Sequence, residues 1–445
     1  MSVHSEYKQK LVSPETAAAV VQSGDWVDYN FCLAQPVALD KALAARRDEL
    51  ADIKVRGGMR MKPLRIIDVD PQGEVFSYAS WHLTAFERKL CDAGRCTHTP
   101  MVYRNKPLFY RKSLDVDVAM FSVSPMDDEG YFSFSLTNSA SMAIAERAGA
   151  VILEVNENLP AIGHGYEHKI HISEVTHVVE SGNPDLPTIP PIPATATDET
   201  IAALVMERIR DGATVQLGIG ALPNAIGTMI VNSDLKNLGM HTEMLVDAYM
   251  HMAQAGKITN THKGIDRGKG VFSFCAGSQA LYDWARNNDM LATGPVNYTN
   301  DPANIAKNPD MVTVNSCVEV DVLGQVTSET SGKRQISGTG GQLDFVNGGY
   351  LSPGGQSFVC CSSTYTDKEG KAHSRVRLSL PEFSVVTDPR SEMHCIVTEW
   401  GIADLAGRSI WERAERIINI AHPDFREELF QGAEKLGFWK RSNKK

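Results

Sequence analysis

The sequence predicts an α/β protein made of two similar open domains. Three observations support this prediction: the chain has 445 residues, helical and strand-like segments alternate along it, and a proline-rich stretch divides it near the middle. A chain of this length exceeds the size at which one hydrophobic core keeps growing, so at least two domains are expected. Short apolar strands that alternate with helices are typical of α/β architecture.

The first half begins with a helix for which Ser13 is the expected N-cap, Pro14 the first helical residue and Gly24 the terminator. Small-residue helices beside an apolar strand favour a sheet covered on both faces. The further elements predicted, in chain order, are a strand at 26–31, a helix at 38–50, strands at 53–56 and 64–69, two strand-rich runs around a turn at 115–134, a helix at 139–148 and a strand at 150–156.

Five of the sixteen residues from 183 to 198 are proline, which excludes a helix or a central strand and predicts an extended linker. After it, a helix at 198–210, the strand in DGATVQLGIG, the run NSCVEVDVLGQVTSE and the strand in HCIVTEWGIADL repeat the order of elements in the first half. We therefore predict an internal duplication, with domains at 1–190 and 196–445 and a site at their interface. The alternative is that any two α/β domains look alike at this level. A helix at 409–419 and another after the HPDF turn close the chain.

Composition argues against several classes of partner. The net charge is −10, from 44 basic and 54 acidic residues that are interspersed, so nucleic acid is not expected as a partner. The eight cysteines lack paired CxxC spacing, and we interpret them as reduced thiols rather than metal ligands. The polar N-terminal segment and the absence of any run of 18 apolar residues predict a soluble, cytoplasmic protein without a membrane partner.

One carboxylate, Glu243, lies in the stretch LGMHTEMLVDAYMHM, directly after a predicted chain reversal at Gly239. Glycine-bearing turns occur before it, in LGIGALPNAIG, and after it, in SGTGGQLDF. Backbone donors on either side of a carboxylate suggest an acyl-transfer site. With a reference pKa of about 4.3, a glutamate is ionised at neutral pH without an adjacent base. His241 shares a strand face with Glu243, and we interpret it as a packing group rather than a general base.

Six motifs in register carry a family resemblance: GIGALPNAIG, HTEMLVDAY, NYTNDP, SGTGGQLDF, VTEWG and INIAHPDF. Together they resemble the acetyl-CoA hydrolase/transferase branch of the coenzyme A transferases, over essentially the whole chain. The resemblance implies ping-pong transfer of CoA from a short-chain acyl-CoA, butyryl-CoA or 4-hydroxybutyryl-CoA, to acetate or a similar carboxylate. It implies a γ-glutamyl-CoA thioester on Glu243, in short-chain fatty acid metabolism. Coenzyme A and acyl-CoA would be substrates, with no tightly bound cofactor, no metal and a homodimeric or homotetrameric state.

By the same resemblance, the Asn300 side-chain amide and the Gly341 backbone amide hold the thioester oxygen. The alternative for Asn300 is an Asx-turn cap before Pro302. Glycines let the backbone of the second turn approach a thioester closely, because they have no Cβ. The residues that the resemblance assigns to substrate or CoA binding are Gly220, Ala221, Leu222, Pro223, Asn224, Ser337, Gly338, Gly340, Gly341 and Lys368.

Structural alternatives exist for these loops and for other carboxylates. GIGALPN also fits a tight strand-to-helix turn, and it lacks the spacing of a dinucleotide-binding loop. Lys368 lies in a DKEG string typical of a solvated hairpin tip, with Lys371 and Arg375 as nearby cations. Glu154, Glu157 and Glu399 are rival carboxylates for which we favour structural roles at strand ends. Hydrolysis of an acyl-CoA at the same site, a non-catalytic CoA-binding or regulatory protein and a lyase-linked transferase subunit are the competing functions.

Overall fold

The computed structural model describes residues 2–441. Within this range the helices α1 to α16 are Val3–Lys10, Pro14–Ala18, Ala38–Ala44, Arg65–Val69, Ala85–Asp92, Lys106–Lys112, Ser141–Arg147, Ala196–Met206, Ala221–Asn232, Asp247–Gln254, Gln279–Ala285, Val296–Thr299, Pro302–Ile305, Gln342–Leu351, Ile410–Asn419 and Pro423–Lys435. The strands β1 to β26 are Trp26–Asp28, Ile53–Gly57, Phe76–Ser80, Thr97–His98, Val118–Val123, Tyr131–Ser133, Ala150–Val155, Lys169–His171, His177–Glu180, Thr214–Leu217, Gly239–Met240, Met244–Leu245, Gly270–Phe272, Phe274–Cys275, Leu291–Thr293, Val312–Ser316, Glu319–Asp321, Val326–Thr327, Thr330–Ser331, Arg334–Gln335, Gln356–Cys360, Thr364–Thr366, Ala372–Ser374, Val376–Arg377, Cys395–Thr398 and Gly401–Asp404.

The chain divides into two compact units. Unit 1 comprises Met1–Pro190, Glu243–Leu245 and Lys269–Thr299, and unit 2 comprises Pro191–Thr242, Val246–Gly268 and Asn300–Lys445. The domain limits predicted from the sequence, which place Glu243 in the C-terminal domain, stay a prediction. In the structure, the segment that carries Glu243 packs within unit 1.

Unit 1 is built on a seven-stranded sheet in the order β4-β3-β2-β1-β5-β7-β9, with all of these pairs parallel. Strand β5 is buried along its whole length. Val118 and Met120 belong to one hydrophobic cluster, whereas Ala119, Phe121 and Val123 belong to another. Because successive side chains of a strand point to opposite faces, the sheet has a core on each side, as predicted.

Unit 2 is built on a six-stranded sheet in the order β11-β10-β16-β21-β25-β26. Its pairs are parallel except at the edge, where β26 returns antiparallel to β25 through a tight connection. The predicted mixed α/β class with parallel sheets is therefore confirmed. An internal duplication stays a prediction.

The proline-rich stretch behaves as predicted, because residues 181–195 contain neither helix nor strand. Helix α8 begins directly after it, where Thr195 and Asp198 form a reciprocal capping box. The predicted cap at Ser13 is also present, since its hydroxyl accepts the Thr16 N–H. The helix that Ser13 caps is α2, and it ends early, at Ala18 rather than near Gly24; α1 precedes it and was not predicted.

Two of the predicted strands are wrong in type or length. In place of the predicted strand at 64–69, Arg65–Val69 form the helix α4, because the buried Asp40 carboxylate accepts the Arg65 N–H over 2.7 Å and so stabilises a helix start. The predicted strand at 26–31 ends at Asp28, because Asn30 and Cys32 adopt positive φ values of 58° and 50° and turn the chain into a 3₁₀ helix.

Helices α9 and α10 approach each other closely at Gly227, where an added Cβ would lie 2.7 Å from the Ala248 Cβ. We expect Gly227→Ala to lower the free energy of unfolding by about 1–3 kcal/mol, because two packed backbones must separate. The measurement is the thermal or denaturant midpoint of the whole protein. Thr228→Ala, on the exposed face of the same helix, is the matched control. An unchanged midpoint in Gly227→Ala would contradict this packing.

Candidate active site

Glu243 lies at a bend between β11 and β12, and its backbone is fixed within unit 1. Its carbonyl oxygen accepts the N–H groups of Ser273 and Phe274, both over 2.9 Å. The following strand β12 pairs in parallel with β14, with Met244 opposite Phe274. The residue is partly exposed, whereas its neighbours on both sides are buried. Glu243 is therefore anchored through its backbone, and the residue is partly accessible to solvent.

The chain reversal predicted at Gly239 is wrong. Gly239 lies in β11, which pairs in parallel with β10. An added Cβ would lie 2.7 Å from both the Thr214 Oγ1 and the Lys263 Cγ. Close packing, rather than a turn, therefore requires glycine here.

Aromatic side chains of unit 1 surround the strand beside Glu243. The Phe274 and Phe31 rings meet edge to face with centroids 5.0 Å apart, and Phe31 also contacts Tyr103. Burial holds the pKa of Tyr103 well above its usual value, and the negative charge of Glu243 raises it further. The Tyr103 hydroxyl is thus an electrostatic neighbour of the Glu243 carboxylate.

A cleft of about 390 Å³, including its open mouth, lies within unit 1. Two cations, Arg60 and Lys62, line it together with Cys32, Met61 and Leu186. Burial lowers the pKa of Lys62, and Arg60 is itself buried. Cys32 connects this cleft to the strand paired with β12, because its thiol lies 3.7 Å from the Cys275 carbonyl oxygen. Sequence reasoning missed this cleft, for which the only local signal is the basic MRMK string.

The second glycine turn, Ser337 to Gly341, is anchored in unit 2 by Glu329. The Glu329 carbonyl accepts the Ser337 N–H over 3.2 Å, and its carboxylate accepts the Thr339 hydroxyl over 3.2 Å. Gly340 has a φ of 59°, which favours glycine. Gly341 is buried and is the N-cap residue of α14. The turn therefore presents backbone N–H groups at the positive end of a ten-residue helix.

Asn300 is completely buried between α12 and α13. Its side-chain amide donates to the Asp344 carboxylate of α14 over 3.4 Å. The cap of α13 is Asp301, whose carboxylate accepts the Ala303 N–H over 2.9 Å. Asp301, rather than Asn300, is therefore the residue that caps this helix.

The first glycine turn, at Gly218 to Gly220, connects β10 to α9. Gly220 has a φ of 116°, and nothing lies within 4 Å of a Cβ added at either glycine. Ile219 between them is 48% exposed. Leu222 and Pro223 are buried in the first turn of α9, whereas Ala221 and Asn224 are half-buried. The turn is both a strand-to-helix connection and an open surface.

Lys368 lies at the exposed tip of the hairpin formed by β22 and β23. The Asp367 carboxylate accepts the N–H groups of Glu369 and Lys371, which is typical of a solvated turn. Arg375 donates to the Val318 carbonyl oxygen over 3.0 Å. Of the three cations considered in this motif, Lys368 and Lys371 are exposed at the hairpin tip, whereas Arg375 is half-buried.

Two of the three rival carboxylates, Glu154 and Glu399, accept hydrogen bonds that fix local structure. Glu154 is buried and accepts the N–H groups of Val37 and Leu39 at the start of α3. Glu399 accepts both the N–H and the hydroxyl of Ser363. Glu157 is exposed.

His241 is completely buried in unit 2. Its ring centroid lies 6.5 Å from that of Phe345. Packing against this phenylalanine supports the interpretation of His241 as a structural residue.

One group of potential metal ligands occurs among residues 2–441: His394, Cys395 and Asp404. His394 Nδ1 accepts the Ser357 N–H over 3.2 Å, so the neutral ring carries its proton on Nε2 and offers no free lone pair there. The prediction of a reaction without metal stays a prediction. None of the helices in this range is long and apolar enough to cross a membrane.

Two models of one protein family match the sequence of this chain. The model of the acetyl-CoA hydrolase/transferase N-terminal domain matches residues 1–190, and the model of the C-terminal domain of the same family matches residues 277–433. Together the two matches cover well over half of the chain.

Full-length relatives agree with this family. A butyryl-CoA:acetate CoA-transferase of Anaerostipes caccae is 49% identical over 446 residues, covering 100% of both chains. The crystal structure of RipA from Yersinia pestis has a TM-score of 0.90 at 36% identity, covering 98% of this chain and 100% of that chain. A 4-hydroxybutyrate CoA-transferase from Porphyromonas gingivalis has a TM-score of 0.78 at 30% identity, covering 97% and 99%. The chain therefore belongs to the acetyl-CoA hydrolase/transferase family, and the prediction of an enzyme of the CoA-transferase type is confirmed.

Proposed function

We propose that the protein transfers CoA from butyryl-CoA, or a similar short-chain acyl-CoA, to acetate, with Glu243 as the covalent carrier. The observation that carries this proposal is the setting of Glu243: a partly exposed residue whose backbone is fixed by Ser273 and Phe274, within the HTEM motif. The activity of the Anaerostipes caccae relative supports butyryl-CoA and acetate as the pair. The Porphyromonas gingivalis relative supports 4-hydroxybutyrate as a second acyl group.

The chemistry requires a carboxylate nucleophile and no net proton transfer. The Glu243 carboxylate attacks the acyl-CoA carbonyl and expels CoA thiolate, which leaves a mixed anhydride. The thiolate attacks the glutamyl carbonyl and expels the first carboxylate, which gives the γ-glutamyl-CoA thioester. Acetate then attacks this thioester, and the released thiolate attacks the acetyl carbonyl to form acetyl-CoA and regenerate Glu243.

Each of these steps passes through a tetrahedral oxyanion, which needs preorganised donors. We assign this role to the Gly341 backbone amide and the Asn300 side-chain amide. Both belong to unit 2, and both are tied to α14: Gly341 caps it, and Asn300 donates to its Asp344. A buried amide held by a carboxylate loses little freedom when it binds a substrate oxygen.

The CoA-contacting residues are proposed on the same footing. They are Gly220, Ala221, Leu222, Pro223 and Asn224 in the first glycine turn, Ser337, Gly338, Gly340 and Gly341 in the second, and Lys368 at the hairpin tip. The open surface of the first turn and the exposure of Lys368 are compatible with a large ligand. The burial of Leu222 and Pro223 favours a supporting role for these two residues.

Several further properties stay predictions. These are the internal duplication with a site at the interface of the halves, the homodimeric or homotetrameric state, the cytoplasmic location and the absence of a tightly bound cofactor. Acyl-CoA hydrolysis is the less favoured activity, because the full-length relatives described above include transferases acting on butyryl-CoA and 4-hydroxybutyrate.

An exchange assay tests the proposal. Purified protein is mixed with butyryl-CoA and labelled acetate, and we expect labelled acetyl-CoA in a ping-pong rate pattern. Release of free thiol without labelled acetyl-CoA would establish hydrolysis instead. Binding of CoA without either product would establish a non-catalytic protein.

A further inference from the structure

Lys106, at the start of α6, is a buried lysine that the reaction proposed above does not use. It is only 1% exposed, and its Nζ lies 4.6 Å from the Phe31 ring centroid and 5.4 Å from that of Trp81. A buried ammonium costs free energy unless a partner compensates it. Burial lowers the pKa of Lys106 to about 7, against the opposing effect of Asp28. A cation kept in such surroundings calls for a role beyond packing.

Two hydrogen bonds connect Lys106, through Ser139, to Tyr103, the electrostatic neighbour of Glu243. Lys106 Nζ donates to Ser139 Oγ over 3.2 Å, and Ser139 Oγ lies 2.7 Å from the Tyr103 hydroxyl oxygen. An ammonium has only donors, so it occupies an acceptor position of the serine oxygen. Either hydroxyl can donate in the bond between Ser139 and Tyr103, and when the serine donates, the Tyr103 hydrogen is free for another acceptor. Tyr103 lies beside the segment that carries Glu243, because its ring centroid is 6.1 Å from that of Phe274, whose N–H donates to the Glu243 carbonyl oxygen.

Backbone hydrogen bonds through Ser273 also connect Ser139 to Glu243. Ser273 donates its N–H to the Glu243 carbonyl oxygen over 2.9 Å and accepts the Ser139 N–H over 3.1 Å. Ser139 has a φ of 45°, a left-handed conformation that residues with a side chain rarely adopt. Such strain persists only where the surroundings enforce it, and it clusters at functional sites.

We propose that Lys106 is a positioning residue of the Glu243 site, which acts through Ser139 to direct the Tyr103 hydroxyl hydrogen at the Glu243 carboxyl group. This inference rests on the proposed role of Glu243 as the nucleophile. The Tyr103 hydrogen orients the attacking carboxylate and then stabilises the oxyanion that forms when the glutamyl carbonyl is attacked. The Lys106 charge strengthens this donor, because hydrogen bonds in series polarise one another.

The groups around Lys106 let its charge be removed without unfolding. The charged and titratable groups that act on Lys106 are Asp28 on β1, Arg56 on β2, Cys32, and Tyr103, whose ring centroid lies 5.8 Å from the Lys106 Nζ. Asp28 has other partners, because its carboxylate accepts the Tyr110 hydroxyl over 2.6 Å and lies 3.6 Å from Arg56. Because Asp28 keeps these partners, removing the Lys106 charge leaves no carboxylate without one and relieves the cost of burying an ammonium group. We therefore expect Lys106→Met to fold with an unchanged or higher Tm.

The test compares Lys106→Met with Lys112→Met, the same substitution at the exposed end of the same helix. We expect Lys106→Met to lower kcat for labelled exchange about 10- to 100-fold with little change in KM, the effect of losing a charge-assisted hydrogen bond. Lys112→Met should behave as the wild type. Tyr103→Phe should lower kcat similarly, and adding Lys106→Met to it should cost nothing more, because both changes disable one series.

The pH profile separates positioning from packing. Lys106 is charged below a pH of about 7 and neutral above it. In the wild type, kcat/KM should therefore fall as the pH rises through 7, and this fall should be missing in Lys106→Met. Since the folded-state pKa is lower than the unfolded value, wild-type stability should increase with pH above 7, and Lys106→Met should lose that increase as well.

The outcomes are distinct. Exchange by Lys106→Met at the wild-type rate would overturn the inference and leave the proposed function intact. Parallel loss of kcat and Tm with the alkaline fall retained would show a purely structural lysine and would also overturn it. A wild-type protein that forms no labelled acetyl-CoA would contradict the proposed function, and the inference with it.

Discussion

Glu243→Gln is expected to lower the rate of CoA exchange by at least about a thousandfold, because an amide cannot form the acyl anhydride or the CoA thioester. The substitution keeps the shape of the side chain, and the backbone bonds from Ser273 and Phe274 do not depend on it. The fold should therefore be preserved. Glu243→Ala should show the same loss, and the assay is the formation of labelled acetyl-CoA.

The matched control for Glu243 is Glu157→Gln, which makes the same change at an exposed carboxylate of unit 1. It should retain wild-type exchange. The covalent intermediate is tested by incubating the enzyme with acyl-CoA alone and trapping with hydroxylamine or borohydride. Modification confined to the peptide carrying Glu243 is the expected result. A label on another peptide, or activity retained by Glu243→Ala, would refute the assignment.

Gly341→Pro is expected to lower kcat roughly 100- to 1,000-fold, the usual cost of removing one oxyanion donor. Proline lacks the N–H that Gly341 offers at the start of α14. Substrate binding should change less than turnover, because the donor acts mainly on the charge that develops during reaction.

Gly341→Ala is the control for the backbone of this turn. The φ of Gly341 is −101°, which residues with a Cβ adopt readily, and alanine keeps the N–H group. We expect Gly341→Ala to retain most of the exchange rate that Gly341→Pro loses. Equal and large losses in both variants would indicate that space, rather than the donor, matters at this position.

Local chemistry made much of the architecture predictable. Ser13 and Ser409 accept N–H groups in the turns that follow them, so both helix starts could be predicted from neighbouring residues alone. The prolines of the stretch at 183–195 likewise suffice to predict that it forms neither a helix nor a central strand. By contrast, the helix at 65–69 depends on Asp40, a buried carboxylate 25 positions earlier in the chain. An apolar run of that length is ambiguous without such a distant partner.

In the candidate site too, some features follow from neighbouring residues and others depend on residues far apart in the chain. The HTEM and SGTGG motifs are short and readable, and they direct attention to Glu243 and Gly341. The support beneath Glu243 comes from Ser273, Phe274 and Tyr103, none of which is adjacent in the chain. Side chains brought together only by folding leave no spacing to recognise, so the lysine–serine–tyrosine series could not be predicted.

The inclusion of Glu243–Leu245 and Lys269–Thr299 in unit 1 has a consequence for dissecting the protein. A fragment cut at the proline-rich stretch would carry the seven-stranded sheet but leave the Leu136 carbonyl, which accepts the Cys275 N–H, without that donor. Separately expressed halves should therefore recover neither a complete first unit nor a fixed glutamate. Co-expression of both halves would be needed to rebuild them.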